Sequence, residues 1–275
     1  MSQCKDVREI EPDLQGAALR VGIVMSRFNR DVGEGLLSAC CRRLGELGVK
    51  PLAVVVVSLS SLTIFLMPLI ALLISYDAIV GEVERGCMLL LLTYPITKRQ
   101  IVAGKFLGHT AILAIATLIG YGGAGVALAA AGGSDAESWH AFVTLLGSSI
   151  LLGAAFVALA YWVSASVRER GTAAGISIGL WLGFVVIYDL GLMGVLVATK
   201  GWIDDRVFPY LLLANPADIY RLLNLTAFDN VRKFSGMAGL SEQAQFAPWV
   251  LLVGLLAWIA IPLAMAGMRF GRSES

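Results

Sequence analysis

Long charge-poor runs alternate with short charged stretches along this chain, and the runs have the length of a bilayer crossing. A helix needs about 20 mostly apolar residues to cross the hydrocarbon. Runs at 52–75, 106–131, 141–167, 172–199 and 247–268 meet that length. A further apolar patch at 208–214 is too short to span. It reads as a re-entrant or interfacial segment inside the otherwise polar stretch 200–245.

The first fifty residues follow a different pattern. Residues 19–29 form a short apolar strand running into a polar turn. Leu36, Leu37, Cys40, Leu44 and Leu47 then recur at helical spacing, and Gly48 supplies the stop. The expectation is an all-α polytopic membrane protein with five spans in residues 52–275. A short soluble α/β-like segment, residues 1–51, precedes it.

Composition supports the bilayer as solvent. The 275 residues are 57% hydrophobic and only 15% charged, with mean hydropathy +0.78. Soluble domains carry about 25% charge. The net charge of +1 argues against a nucleic-acid partner. Cys4, Cys40, Cys41 and Cys87 lack metal-site spacing and read as reduced, unpaired thiols. No secretory signal opens the chain, since acidic residues begin at Asp6 and no short apolar core follows.

Lys and Arg set the orientation. Arg85, Lys98, Arg99 and Lys105 lie in the loop 77–105, Arg168 and Arg170 in the next basic loop, and Arg269 and Arg272 at the C-terminus. These predict the cytoplasmic side of the membrane. The loop 132–140, with Asp135 and Glu137 but no Lys or Arg, falls outside together with 200–245. Five spans then place the basic first fifty residues outside. An even number would resolve this, so the chain reads as one helix short before residue 52.

The stretch 81–105 carries the most suggestive chemistry. Glu82 and Glu84 open a predicted helix, where negative charge suits the dipole. Met88, Leu89, Leu91 and Leu92 make an apolar face, Pro95 ends it, and Lys98 and Arg99 mark the membrane surface. By periodicity alone this is either a partner-docking helix or an ordinary interfacial one. Gly171, Gly175, Gly179 and Gly183 make a smooth stripe, for packing within the chain or between two copies. Gly120, Gly122, Gly123 and Gly125 read as loosening or kinking the second span, and Pro68 as kinking the first.

Asp189 sits in apolar sequence about 27 Å along a helix from Gly171, marking either a pathway or the outer interface. Asn215 and Pro216 signal a turn or helix start. With Asp218, Tyr220 and Arg221 they shape an external loop, as a docking surface or as plain loop structure. His109 reads as a structural hydrogen-bonder, and no metal site is expected. No Gly-x-x-x-x-Gly-Lys-[Ser/Thr] loop is present.

Two resemblances add to this. Residues 16–50, with Ser26-Arg27-Phe28-Asn29, resemble the first βα unit of lumazine synthase, in which Phe28 would stack on the pyrimidine substrate. The later phosphate loop and catalytic histidine of that family have no counterpart. That leaves a truncated enzyme as a rival reading, and a non-transporting membrane anchor as another. From about Val54 onward the chain resembles the ABC-2 class of ABC transporter permeases, through residues 65–82, 89–95, 104–109 and 215–221. Within that class it is most similar to the permeases that serve maturation of nitrous oxide reductase.

The ABC-2 resemblance implies six spans and a homodimer. It implies a separate ABC ATPase subunit, which holds ATP and Mg, while this chain binds no cofactor. Glu82, Glu84, Gly86, Leu89, Leu92 and Pro95 then become the ATPase-coupling segment. A periplasmic partner and a role in copper-site assembly are implied as well.

Overall fold

The computed structural model describes residues 51–91, 93–130, 136–198, 208–226 and 246–272. The lumazine-synthase-like segment with Phe28, Cys4, Cys40 and Cys41 lies outside these. The described residues are helical, without strands: α1 (Pro51–Ser75), α2 (Val80–Glu84), α3 (Cys87–Leu91), α4 (Lys98–Ala130), α5 (Ala136–Ser164) and α6 (Arg170–Leu182). A π-helical turn (Gly183–Ile187) joins α6 to α7 (Tyr188–Ala198), and α8 (Phe208–Leu213), α9 (Pro216–Thr226) and α10 (Pro248–Arg272) follow. Five segments are long and apolar enough to cross a membrane: Leu59–Glu84, Lys98–Val126, Phe142–Ser164, Arg170–Val195 and Pro248–Arg272.

Helix α5 is the axis. It packs against α1, α4, α9 and α10. From Ala154 to Tyr161 every side chain is buried, with Phe156, Val157, Ala158 and Ala160 fully enclosed. A helix apolar on all faces belongs in the middle of a bundle. The outer helices turn Phe65, Leu66, Ile70, Ile115, Ile119, Val253 and Ile261 outward. In lipid this costs nothing, because acyl chains are as apolar as the side chains. The interior is therefore held by packing and by polar contacts.

Three hydroxyls inside the bundle are satisfied locally. The Thr63, Thr117 and Ser149 hydroxyls donate to the carbonyls four residues earlier, at 2.6, 2.7 and 2.6 Å. In apolar surroundings such a bond to the preceding turn spares the hydroxyl an unmet donor.

The glycines expected to break the second span do not. Helix α4 runs unbroken through all four. Gly125 has a packing role instead, because a Cβ there would meet the Phe142 ring at 2.8 Å. The start of α4 is fixed by its own sequence. Thr97 Oγ1 accepts from the Gln100 amide at 3.3 Å, and Gln100 Oε1 accepts from the Thr97 amide at 2.8 Å, a capping box.

Two expectations are revised. The fourth span is not one uniform α-helix, because the π turn interrupts it. The stretch 200–245 is not simply an external loop, because α8 and α9 lie in it and α9 packs on α1, α5 and α10.

Gly125→Ala is expected to cost about 1–3 kcal/mol by overpacking against Phe142, read as a lowered thermal midpoint in detergent. Gly120→Ala, with open space at its Cβ, is expected to leave the midpoint unchanged.

Candidate functional site

At the basic end of the bundle the chain leaves α1, turns through residues 76–79 and re-enters helix as α2. That break exposes backbone groups where water is scarce, and two neighbouring helices supply their partners. Ser164, the last residue of α5, accepts hydrogen bonds from the Ile79 and Val80 amides, both at 3.0 Å. Lys105 of α4 donates to the Ala78 carbonyl at 2.7 Å and pairs with Glu82. The turn is thus held from both sides.

Helix α6 is tied to the same place. Arg170 reaches Asp77 at 2.9 Å, and its backbone amide donates to Glu84 Oε1 at 2.7 Å. The Glu84 carboxylate thereby sits at the N-terminus of α6, where the helix dipole favours it. Deeper in, His109 Nδ1 and the Tyr161 hydroxyl lie 2.7 Å apart, with their rings edge to face. A cavity of about 360 Å³ opens here, lined by Asp77, Ala78, Glu82, Arg85, Lys105, Gly108, His109 and Ile112.

This changes the reading of the predicted coupling segment. A single helix from Glu82 is not formed. Gly86, at φ +72, breaks it into α2 and α3. That left-handed conformation costs glycine little and a side-chain-bearing residue more. Glu82 and Glu84 face Lys105 and α6, so they anchor the segment to the bundle. Met88, expected on the outward apolar face, is buried in the core. The apolar surface turned outward comprises Val83, Leu90, Tyr94 and Ile96, with Pro95 exposed among them. The Leu89 side chain and Leu92 lie outside the described residues.

A second polar cluster gathers toward the opposite end. Pro216 opens α9, where its missing amide is no loss. Asn215 caps the helix, Oδ1 accepting from the Ala217 amide at 3.0 Å. The Asn215 side-chain amide donates to Asp218 Oδ2 at 3.0 Å and to the Phe184 carbonyl at 2.8 Å. That carbonyl lies in the π turn, whose wider winding departs from the regular α-helical ladder. Arg221 then bridges two carboxylates, Asp218 at 2.8 Å and Asp189 at 2.7 Å.

Asn215, Asp218 and Tyr220 are almost wholly buried. They face the bundle and form no external docking surface, because α9 turns its polar side toward the π turn and α7. Burial, then the nearby Asp189 charge, push the Asp218 carboxyl up to about 7, against the pull of Arg221 and Asn215. Asp189 is a partner in an ion pair rather than an isolated acid.

The glycine stripe faces outward. A Cβ at Gly171, Gly175, Gly179 or Gly183 would meet no atom within 4 Å. Packing of this stripe inside the chain is therefore not observed among the described residues. No group of three or more His, Cys, Asp or Glu able to hold a metal ion occurs among them either. Sequence reasoning missed Ser164, Asp77 and Arg170 as anchors. Their only signal is position, a hydroxyl at the end of a span and charges flanking the turn.

Comparison with known proteins gives two kinds of match. The model of the family described as "ABC-2 family transporter protein" matches residues 5–275. Over 231 residues the chain is 46% identical to the "Probable ABC transporter permease protein NosY" of Pseudomonas aeruginosa, covering 83% of each chain. It is 45% identical over 230 residues to the protein of the same name from Stutzerimonas stutzeri, again covering 83% of each. A short match of 51 residues is 61% identical to 6,7-dimethyl-8-ribityllumazine synthase of Azoarcus sp., covering 18% of this chain and 33% of that enzyme.

Ser164→Ala would leave the Ile79 and Val80 amides without their acceptor in a buried place. The expected loss is about 2–3 kcal/mol, seen as a lowered thermal midpoint. Ser166→Ala, at an exposed hydroxyl, is expected to change it little.

Proposed function

The chain belongs to the ABC-2 family of transporter proteins, and from that premise we propose that it is the membrane subunit of an ATP-driven transporter whose α2–α3 segment takes force from a separate ATPase. The observation that carries this is the pairing of a fixed base with an outward apolar surface. Ser164, Lys105 and Arg170 tie the base to α4, α5 and α6. Val83 is exposed on the base itself, and Leu90, Tyr94 and Ile96 are exposed beyond it, at the end rich in Lys and Arg. A push on that surface is transmitted to three helices because the anchors leave the base little freedom.

Gly86 fits the same reading, as a joint between α2 and α3. ATP and Mg belong to the partner, and this chain carries neither. The likeness to NosY proteins supports a place beside a NosF-like ATPase and a NosD-like periplasmic protein in the inner membrane. It supports an output that serves copper-site maturation of nitrous oxide reductase. Charge reversal at Glu82 or Glu84 is a poor probe of docking, because it strikes Lys105 and the α6 terminus first.

Two copies would complete the transporter. The open face along Gly171, Gly175 and Gly179 supports pairing through α6, since small residues let helix backbones approach closely.

Leu90→Asp with Tyr94→Asp is expected to reduce capture of a co-expressed NosF-like ATPase by at least about tenfold, equivalent to about 1.4 kcal/mol, in co-purification from membranes. The variant's own thermal midpoint should be unchanged. Undiminished capture would rule the segment out as the docking surface. Gly175→Cys is expected to yield a disulfide-linked dimer in membranes, whereas Ile119→Cys on the exposed face of α4 is expected to yield none. Equal cross-linking at both positions would remove the case for α6.

A further inference from the structure

The cluster that joins α7 to α9 has an unbalanced charge count. Asp189 and Asp218 place two carboxylates on one guanidinium, that of Arg221, at 2.7 and 2.8 Å. Fully ionised, the group carries one surplus negative charge. Asp218 is 1% exposed, so that charge has little water to stabilise it. We propose that Asp189, Arg221 and Asp218 form a proton-binding latch, which takes up one proton as it fastens α9 to α7 and the π turn.

The surroundings fit a latch. Asn215 joins Asp218 to the Phe184 carbonyl, so the carboxyl is coupled directly to the π turn. Tyr188, beside Asp189, donates to the Leu211 carbonyl at 2.6 Å and ties α8 into the same unit. The charged and titratable groups acting on Asp218 are Asp189 and Tyr188 on α7 and Arg221 on its own helix. Helices α5 and α1 meet α9 through the Ser149, Ser60 and Thr63 hydroxyls around Tyr220. Helix α10 meets it through Leu251 and Leu255.

The arrangement also gives the proton a route. The Asp189 and Arg221 side chains are each about one-third exposed, whereas Asp218 is not. A proton from water can reach the buried Asp218 carboxyl past these two exposed side chains. Uptake forms an O–H bond on one carboxylate and leaves the pair with a single negative charge opposite Arg221. Release restores the surplus charge and weakens the join between α7 and α9.

The folded state keeps a proton on Asp218 at pH values where an unfolded chain has already lost it. This contribution to stability is complete below the ordinary aspartate range and is lost as pH rises toward about 7. The latch does not depend on the ATPase reading and can be tested on the purified chain alone.

The test is infrared difference spectroscopy of the full chain in lipid nanodiscs, following the C=O stretch of protonated carboxyls from about pH 9 down to about pH 5. The wild type is expected to gain a buried-carboxyl band near neutral pH. Asp218→Asn is expected to lose it. Asp189→Asn is expected to move it to lower pH, because the repelling neighbour is gone. A band that is absent in the wild type, or one unchanged in both variants, overturns the latch. Should Asp218→Asn fail to fold, the shift in Asp189→Asn decides alone. Thermal unfolding supplies a second readout. The wild-type midpoint should fall more steeply with rising pH than that of Asp218→Asn, and equal slopes would count against the proposal.

Discussion

One serine oxygen holds the working end of this bundle together. Ser164 Oγ accepts two backbone amides at the place where the chain leaves α1 and enters α2. An interruption in a helix frees backbone donors and acceptors, and in apolar surroundings each costs several kcal/mol if unmet. The chain must bend there to bring Glu82 and Glu84 to Lys105 and α6, and it can bend only because α5 delivers an acceptor at the right depth. Lys105 completes the device from α4 by taking the Ala78 carbonyl. The exposed α2–α3 surface inherits its position from these contacts.

The opposite end meets the same constraint with different residues. The π turn departs from the α-helical ladder at Phe184, and the amide of Asn215 binds the Phe184 carbonyl there. The bulge also directs the Phe184 ring inward, edge to face against Phe156 and Trp258. Both irregular places are thus clasped by a side chain from another helix.

Much of the architecture was legible in residue patterns. Spans were visible because each is a run of apolar residues longer than the hydrocarbon is thick. The start of α9 was visible in Asn215-Pro216, whereas the break at Gly86 was not, because the stretch reads as one helix until the positive φ of that glycine is seen. The role of Glu82 and Glu84 was not legible. A carboxylate near a basic loop looks the same in sequence whether it faces a partner, water or Lys105 from 23 residues away. The burial of Asp218 and Tyr220 was hidden for a similar reason, because a short amphipathic helix in a polar stretch reads as surface.

The sequence by itself determined the solvent of this protein, its number of apolar spans, and which end is basic. Those properties are sums over local composition and need no knowledge of neighbours. Tertiary structure alone decided which polar groups meet. Ser164 with the Ile79 and Val80 amides, Arg170 with Asp77, and Arg221 with Asp189 each join residues 32 to 93 positions apart. Most of those pairings follow from how the helices pack around α5, and packing depends on shape complementarity across the bundle, which no local pattern encodes.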